Sequence, residues 1–116
     1  MFGLMMDTPL LVSRLIEHAA AVHGDREIVS RSVEGPIDRS GYAELAARAR
    51  RLARTLSALG VGPGDRVATL AWNTHRHVEV YYAVSGLGAI CHTVNPRLHA
   101  SDVAWIMNDV SELLVE

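Results

Sequence analysis

From Arg66 onward the sequence alternates between two hydrophobic patterns, and that alternation limits the possible folds more than any other feature. Arg66 to Trp72 is largely apolar, with β-branched Val67 and Thr69, as suits a strand buried on both faces. Asn73 or Thr74 then offers a cap for a helix that would turn Val78, Tyr81, Tyr82 and Ser85 inward. Ala89 to Val94 reads as a second short apolar strand, stopped by Asn95-Pro96. Val103, Ile106, Met107 and Val110 mark another helix, and Leu113-Leu114-Val115 begins a third strand. Strand, helix, strand, helix, strand implies right-handed crossovers and a parallel sheet covered by helices. The last strand is cut short, so the expected unit is a parallel βαβαβ truncated in its final strand.

The first half has a different rhythm. Thr8-Pro9 predicts a helix start, with Val12, Leu15, Ile16 and Ala19 on one face and Gly24 as the stop. Glu27 to Arg31 reads as a strand, Glu34-Gly35-Pro36 as a turn, and Ile37 to Arg39 as the returning arm of a hairpin. Tyr42, Leu45, Ala46, Ala49, Leu52, Ala53, Leu56 and Leu59 then form one long helical stripe, ended by Gly60. Glu44 sits where a capping-box acid belongs, although Gly41 has no side chain to complete the box. The fold class expected is α/β, a helix–hairpin–helix followed by the βαβαβ unit.

With 116 residues, this is one small domain or part of a larger one. A hydrophobic fraction of 49% against 21% charged residues excludes a disordered chain. The formal charge of −2 gives no electrostatic argument for nucleic acid or an anionic membrane as partner. Cys91, the single cysteine, cannot form an internal disulfide, which fits a reducing compartment or a chain indifferent to redox. Asp7 precedes the first basic residue, Arg14, unlike the start of a signal peptide. The longest uncharged stretch, Val80 to Pro96, is interrupted by Ser85, Gly86, Gly88, His92 and Asn95 and does not read as a bilayer span. A cytoplasmic protein with no transmembrane segment is expected. All eleven basic residues are arginine, so no lysine is available for Schiff-base chemistry or for gripping a nucleotide phosphate.

Each candidate for chemistry has a plainer structural reading. His75 and His77 are two apart on a helix, where side chains diverge by about 200°. His18 and His23 are spaced no better, and no cluster of cysteines or carboxylates supplies further ligands, so no metal site is expected. Gly60, Gly62 and Gly64, and again Gly86 and Gly88, lie between a helix and the following strand. A phosphate loop must instead follow a strand and open a helix, so these glycines read as helix stops. Cys91 and His92 are neighbours on a strand and face opposite ways, leaving Cys91 as a small hydrophobe. Arg48, Arg50, Arg51 and Arg54 lie off the apolar stripe and read as a solvated face. Arg97 lies past the end of a parallel strand, where open α/β sheets bind ligands. Its guanidinium could meet a carboxylate or phosphate, but locking its loop through backbone carbonyls is the expected role. No constellation amounts to an active site, and no catalytic, cofactor-binding or metal residue is assigned.

Tyr42-Ala43-Glu44-Leu45, Arg50-Arg51-Leu52-Ala53 and Leu59-Gly60-Val61-Gly62-Pro63-Gly64-Asp65-Arg66-Val67-Ala68 resemble the N-terminal region of adenylate-forming enzymes, the acyl-CoA synthetases and their relatives. Asn73, Glu79, Tyr82, Gly88-Ala89 and Asn95-Pro96-Arg97-Leu98 continue the match in order. His92-Thr93-Val94-Asn95-Pro96-Arg97-Leu98, and the opening from Met5-Met6-Asp7 through Asp25-Arg26-Glu27-Ile28-Val29-Ser30-Arg31, look most like the fatty-acyl-CoA ligase branch. Gly41 stands where the family usually has a hydroxyl cap, and His99-Ala100 replaces a common Ser-Pro.

The resemblance implies that residues 1–116 are an incomplete N-terminal portion of an AMP-binding (adenylation) domain. For the full-length enzyme it implies ATP, Mg2+ and coenzyme A as cofactors and a fatty acid as substrate. The family's phosphate-binding loop, its adenine motif and its C-terminal domain with a catalytic lysine have no counterpart in these residues. The fragment alone is therefore expected to be inactive, with self-association through its truncated edge. The alternative is a short non-catalytic α/β interaction protein that associates with a full-length ligase or with itself. A phosphate-accepting receiver domain fits poorly, because the strand ends Trp72-Asn73 and Val94-Asn95 carry no acid.

Overall fold

The structure, a computed structural model, describes residues 3–110 and 113–115. In chain order it contains α1 (Ser13–Val22), β1 (Glu27–Arg31), β2 (Ile37–Gly41), α2 (Tyr42–Ala58), β3 (Arg66–Leu70), α3 (His75–Gly86), β4 (Ile90–Val94), α4 (Ala100–Val110) and β5 (Leu113–Val115). The architecture is the expected α/β arrangement. β1 and β2 form an antiparallel hairpin, with Glu27 opposite Gly41 and Arg31 opposite Ile37. The other three strands form a parallel sheet in the order β4-β3-β5. β3 is its centre, and Val67, Ala68 and Thr69 are each at most 1% exposed, so this strand is buried on both faces as its composition requires.

α2 packs against both α3 and α1. Leu56, Val61, Val67, Ala83 and Val84 form one core cluster, and Ile16, Leu45 and Ala46 form a second. Leu45, Ala46, Ala49 and Leu56 of the predicted stripe are buried, but Leu59 is 71% exposed because α2 has ended at Ala58. Gly60 and Gly88, at φ of 96° and 73°, follow the ends of α2 and α3, the left-handed conformation that only glycine adopts at little cost. The two glycine-rich turns are stitched together by Gly64 N–H to Gly88 O (3.0 Å) and Ile90 N–H to Asp65 O (2.7 Å). They are turns and helix stops.

Two expectations are corrected. α1 begins at Ser13, not at Thr8-Pro9: Leu10 and Leu11 have nothing to pack on, at 89% and 55% exposed. A short helix holds only where an apolar face is covered, and coverage starts where Ile16 meets Leu45 and Ala46. Val12 and Leu15 accordingly stay in solvent. α3 is also rotated from its predicted face. Its buried residues are His75, Glu79, Ala83 and Val84, while Tyr81 is exposed and Val78 and Tyr82 are half-buried beside α1 and α2. Periodicity counts only apolar residues; here two polar ones go inside because partners await them. The side chain of Val110 lies outside the described part of the chain.

α2 starts without any side-chain cap at Gly41. Its first N–H groups go instead to backbone carbonyls of the turn before β1: Tyr42 N–H to Arg26 O (3.3 Å) and Ala43 N–H to Gly24 O (3.2 Å). The free donors of a helix N-terminus are thereby met by tertiary structure.

A candidate ligand crevice at the strand ends

From β3 the chain passes through α3 to β4 on one side, then through α4 to β5 on the other side of β3. With right-handed crossovers, α3 and α4 fall on opposite faces of the sheet. The loops leaving β3 and β4 therefore diverge, and the gap between them is a topological switch point, where open α/β sheets hold ligands. The tip of the β1–β2 hairpin borders this gap. The result is an outer crevice of about 540 Å³ lined by Arg31, Ser32, Trp72, Thr74, Asn95 and Arg97 among others. Beside it, an inner pocket of about 210 Å³ reaches Thr69, His75 and His77.

Arg97 does not lock its loop as expected. Its backbone N–H is held by Asn95 Oδ1 at 3.0 Å, while its guanidinium lies over the Trp72 ring, 5.5 Å from the centre. The cation–π contact ties the loop after β4 to the loop after β3. His77, on α3, ties its helix to β3 and to the loop between them: Nε2 lies 3.0 Å from Thr69 Oγ1 and Nδ1 lies 3.3 Å from Asn73 Oδ1. With the amide oxygen accepting, Nδ1 carries the proton and Nε2 accepts from the threonine hydroxyl.

The hairpin is held to α3 by one hydrogen bond and one exposed ion pair, with a longer approach between them. His75 N–H donates to Ser30 Oγ at 2.9 Å. The His75 ring, buried at 5% exposure, faces Asp38 with Nδ1 3.6 Å from Oδ1, too long for a hydrogen bond. Arg76 Nη1 meets Glu34 Oε1 at 2.9 Å. The Arg76 hydrogen bond is the main reason the Glu34 carboxyl is held down at about 2. Ser32 Oγ leans toward the same carboxylate and helps lower it, at a geometry that does not close a hydrogen bond.

This pair has a testable pH dependence. A carboxyl whose folded pKa lies below its ordinary value stabilises the fold fully above that value and progressively less as pH falls. The Glu34–Arg76 link is thus expected to be intact above about 4.5 and to be lost as pH falls through about 2. The Glu34 side-chain carboxyl, followed by 13C NMR, should titrate near 2; a midpoint near 4.5 would show that the pair does not form.

The other sequence candidates are dispersed. His75 and His77 have separate partners, and the His18 and His23 rings meet edge to face at 6.3 Å. Among the described residues no group of three His, Cys, Asp or Glu could hold a metal ion. Cys91 packs beside the Leu56–Val84 cluster, where burial pushes its thiol pKa up and makes it a poor nucleophile. Arg50, Arg51 and Arg54 are exposed, as read from the sequence. Arg48 is not merely solvated: its Nε lies 2.8 Å from Oε1 of buried Glu79 on α3, a charge contact whose N–H is not aligned for a hydrogen bond. Trp72, Glu34 and Ser32 escaped the sequence reading because the hairpin tip and the loop after β3 meet only in three dimensions.

Comparison with known proteins agrees with this architecture. A match to the AMP-binding enzyme family spans residues 16–114. The chain is 50% identical over 112 residues to a 3-methylmercaptopropionyl-CoA ligase of Ruegeria lacuscaerulensis, covering 97% of this chain and 21% of that protein. It is 48% identical over 115 residues to a medium-chain-fatty-acid–CoA ligase of Ectopseudomonas oleovorans, covering 99% of this chain and again 21% of the relative. The inhibitor-bound N-terminal domain of FACL13 from Mycobacterium tuberculosis superposes with a TM-score of 0.79 at 30% identity, over 90% of this chain and 26% of that one. The chain therefore spans about a fifth of the length of these ligases, 21% in each case.

Proposed function

The chain belongs to the AMP-binding enzyme family, and from that premise we propose that residues 1–116 are the N-terminal scaffold portion of the adenylation domain of a fatty-acyl-CoA ligase. The observation that carries this reading is the near-half identity to CoA ligases along 97% and 99% of the chain. In the complete enzyme, working in the cytoplasm, a fatty acid carboxylate attacks the α-phosphate of ATP to give an acyl adenylate and pyrophosphate. The thiol of coenzyme A then displaces AMP to give the thioester. Mg2+ would balance the phosphate charge; among the described residues no group of three His, Cys, Asp or Glu could hold it.

What this chain contributes is position. β3 and β4 supply the rigid parallel strands, the His77–Thr69 and Arg97–Trp72 contacts set the loops at their ends, and Arg76–Glu34 anchors the hairpin. Among the described residues no helix is long and apolar enough to cross a membrane.

An exchange experiment tests the proposal. The 116-residue chain alone, given ATP, Mg2+, octanoate and coenzyme A, should form no acyl-CoA above an enzyme-free blank. Spliced in place of the matching segment of the Ectopseudomonas oleovorans ligase, it should restore ATP-dependent octanoyl-CoA formation to within about tenfold of the parent, a change of about 1.4 kcal/mol in the barrier. A folded but inactive chimera would overturn the reading, as would acyl-CoA formation by the chain alone.

A further inference from the structure

We propose that the tip of the β1–β2 hairpin is a lid on the inner pocket at the end of β3, hinged at the base of the hairpin and held down by the Glu34–Arg76 pair. The hairpin shares no strand with the parallel sheet, and two strands alone have little stability in water. Its two ends are held very differently. At the base, Ile28 packs on the Ile16–Leu45–Ala46 cluster, and the carbonyls of Gly24 and Arg26 accept the first N–H groups of α2. Toward the tip no apolar side chain is tucked under: Val29, Val33 and Ile37 are each more than half exposed.

The contact beneath the tip is polar and only partly satisfied. Ser30 Oγ accepts from His75 N–H at 2.9 Å. Ser32 Oγ, Asp38 Oδ1 and His75 Nδ1 are buried and close no hydrogen bond, the last two standing 3.6 Å apart. A buried polar atom without a hydrogen bond costs free energy that contact with water restores. Lifting the tip would hydrate all three of these atoms while breaking one hydrogen bond and one exposed ion pair. The lowered and lifted positions are therefore close in free energy, whereas the core, held by apolar packing, stays shut. The residues of this contact also wall the inner pocket, with Ser32 and Glu34 on the hairpin side and His75 and Arg76 on the α3 side, alongside Thr69 and His77. Raising the tip takes away one wall of that pocket. The inference concerns access to the pocket and does not depend on the scaffold role proposed above.

The backbone N–H of His75 supplies the readout, because its acceptor lies on the hairpin and not in α3. Amide hydrogen exchange is followed by NMR in the 116-residue chain. Val67 and Val84, buried in the core, report global unfolding, and Val78 N–H, bonded to Thr74 O, reports fraying of α3. Corrected for intrinsic rates, His75 N–H should exchange about tenfold or more faster than the two core amides, as a segment that opens on its own does. Glu34→Ala removes the latch without altering the sequence around His75, and should speed exchange there by about two- to fivefold, the effect of one exposed ion pair. Ser32→Ala removes a hydroxyl that is unpaired only while the tip is down, and should slow exchange by about fivefold. Val78 should keep its rate in both variants. Exchange of His75 no faster than that of the core would overturn the proposal, because the tip would then rise only on unfolding. An unchanged His75 rate in Glu34→Ala, or an unchanged or faster one in Ser32→Ala, would overturn it too. A rise at Val78 equal to that at His75 would assign the opening to fraying of α3 and also overturn it. None of these rates bears on thioester formation by the chimera, so the two proposals fail separately.

Discussion

Replacing Arg48 by methionine is expected to destabilise the fold by about 2–3 kcal/mol, although the sequence places this arginine on the polar side of its helix. Glu79, 9% exposed on α3, has Arg48 Nε 2.8 Å from its Oε1, and Arg48→Met takes away the cation in contact with that buried carboxylate. Breaking a fully buried pair in this way costs about 3–5 kcal/mol, and the lower figure reflects an Arg48 side chain that is 32% exposed. The double variant Arg48→Met with Glu79→Leu should recover most of the loss, because removing both charges also removes the desolvation cost of each. Urea unfolding of the two variants, with Arg50→Met as an exposed control, decides the matter. If Arg48→Met shifts the midpoint no more than the control does, the pair holds nothing together.

The second large effect runs against helix-capping rules. Gly41→Ser installs the hydroxyl that usually begins such a helix, and on capping grounds alone it should gain about 1 kcal/mol. A Cβ at Gly41 would lie 2.5 Å from the carbonyl oxygen of Gly24, and that oxygen is itself held by Ala43 N–H. Neither side is a flexible side chain that can swing away. The expected net result is a loss of about 1–3 kcal/mol, the range for forcing atoms into a packed site. Gly86→Ala provides the contrast, since its Cβ would meet nothing within 4 Å at the end of α3. It should stabilise slightly, by up to about 1 kcal/mol, because alanine loses less chain entropy than glycine in a helix. A stabilised Gly41→Ser would show that the α2 start can shift to accept a side chain.

Much of the fold was legible because it rests on local rules. The β1 and β5 ranges follow from short runs between turn residues, and the long stripe from Tyr42 to Leu56 places the buried side of α2. The helix stops at Gly60 and Gly88 follow from the positive φ that glycine alone tolerates easily. The candidate site was legible only in outline. Arg97 stood out as a residue past a strand end, but its stacking on Trp72 depends on the separation of two loops, which periodicity does not encode. Glu34 and Arg76, far apart in the chain, become partners only when the hairpin folds across the start of α3.

By itself, then, the sequence determined the element types, the parallel βαβαβ order and the family, because each is written in residues that act on their near neighbours or in the order of motifs along the chain. The tertiary structure alone decided which polar side chains are buried. His75 and Glu79 lie inside because Ser30, Asp38 and Arg48 arrive from other elements, and α2 begins without a side-chain cap because the carbonyls of Gly24 and Arg26 reach its first turn. The physical reason is the same in each case. These groups go inside where a charge or a polar group reaches them from another element, and groups brought together by the fold leave no mark in local hydrophobic pattern.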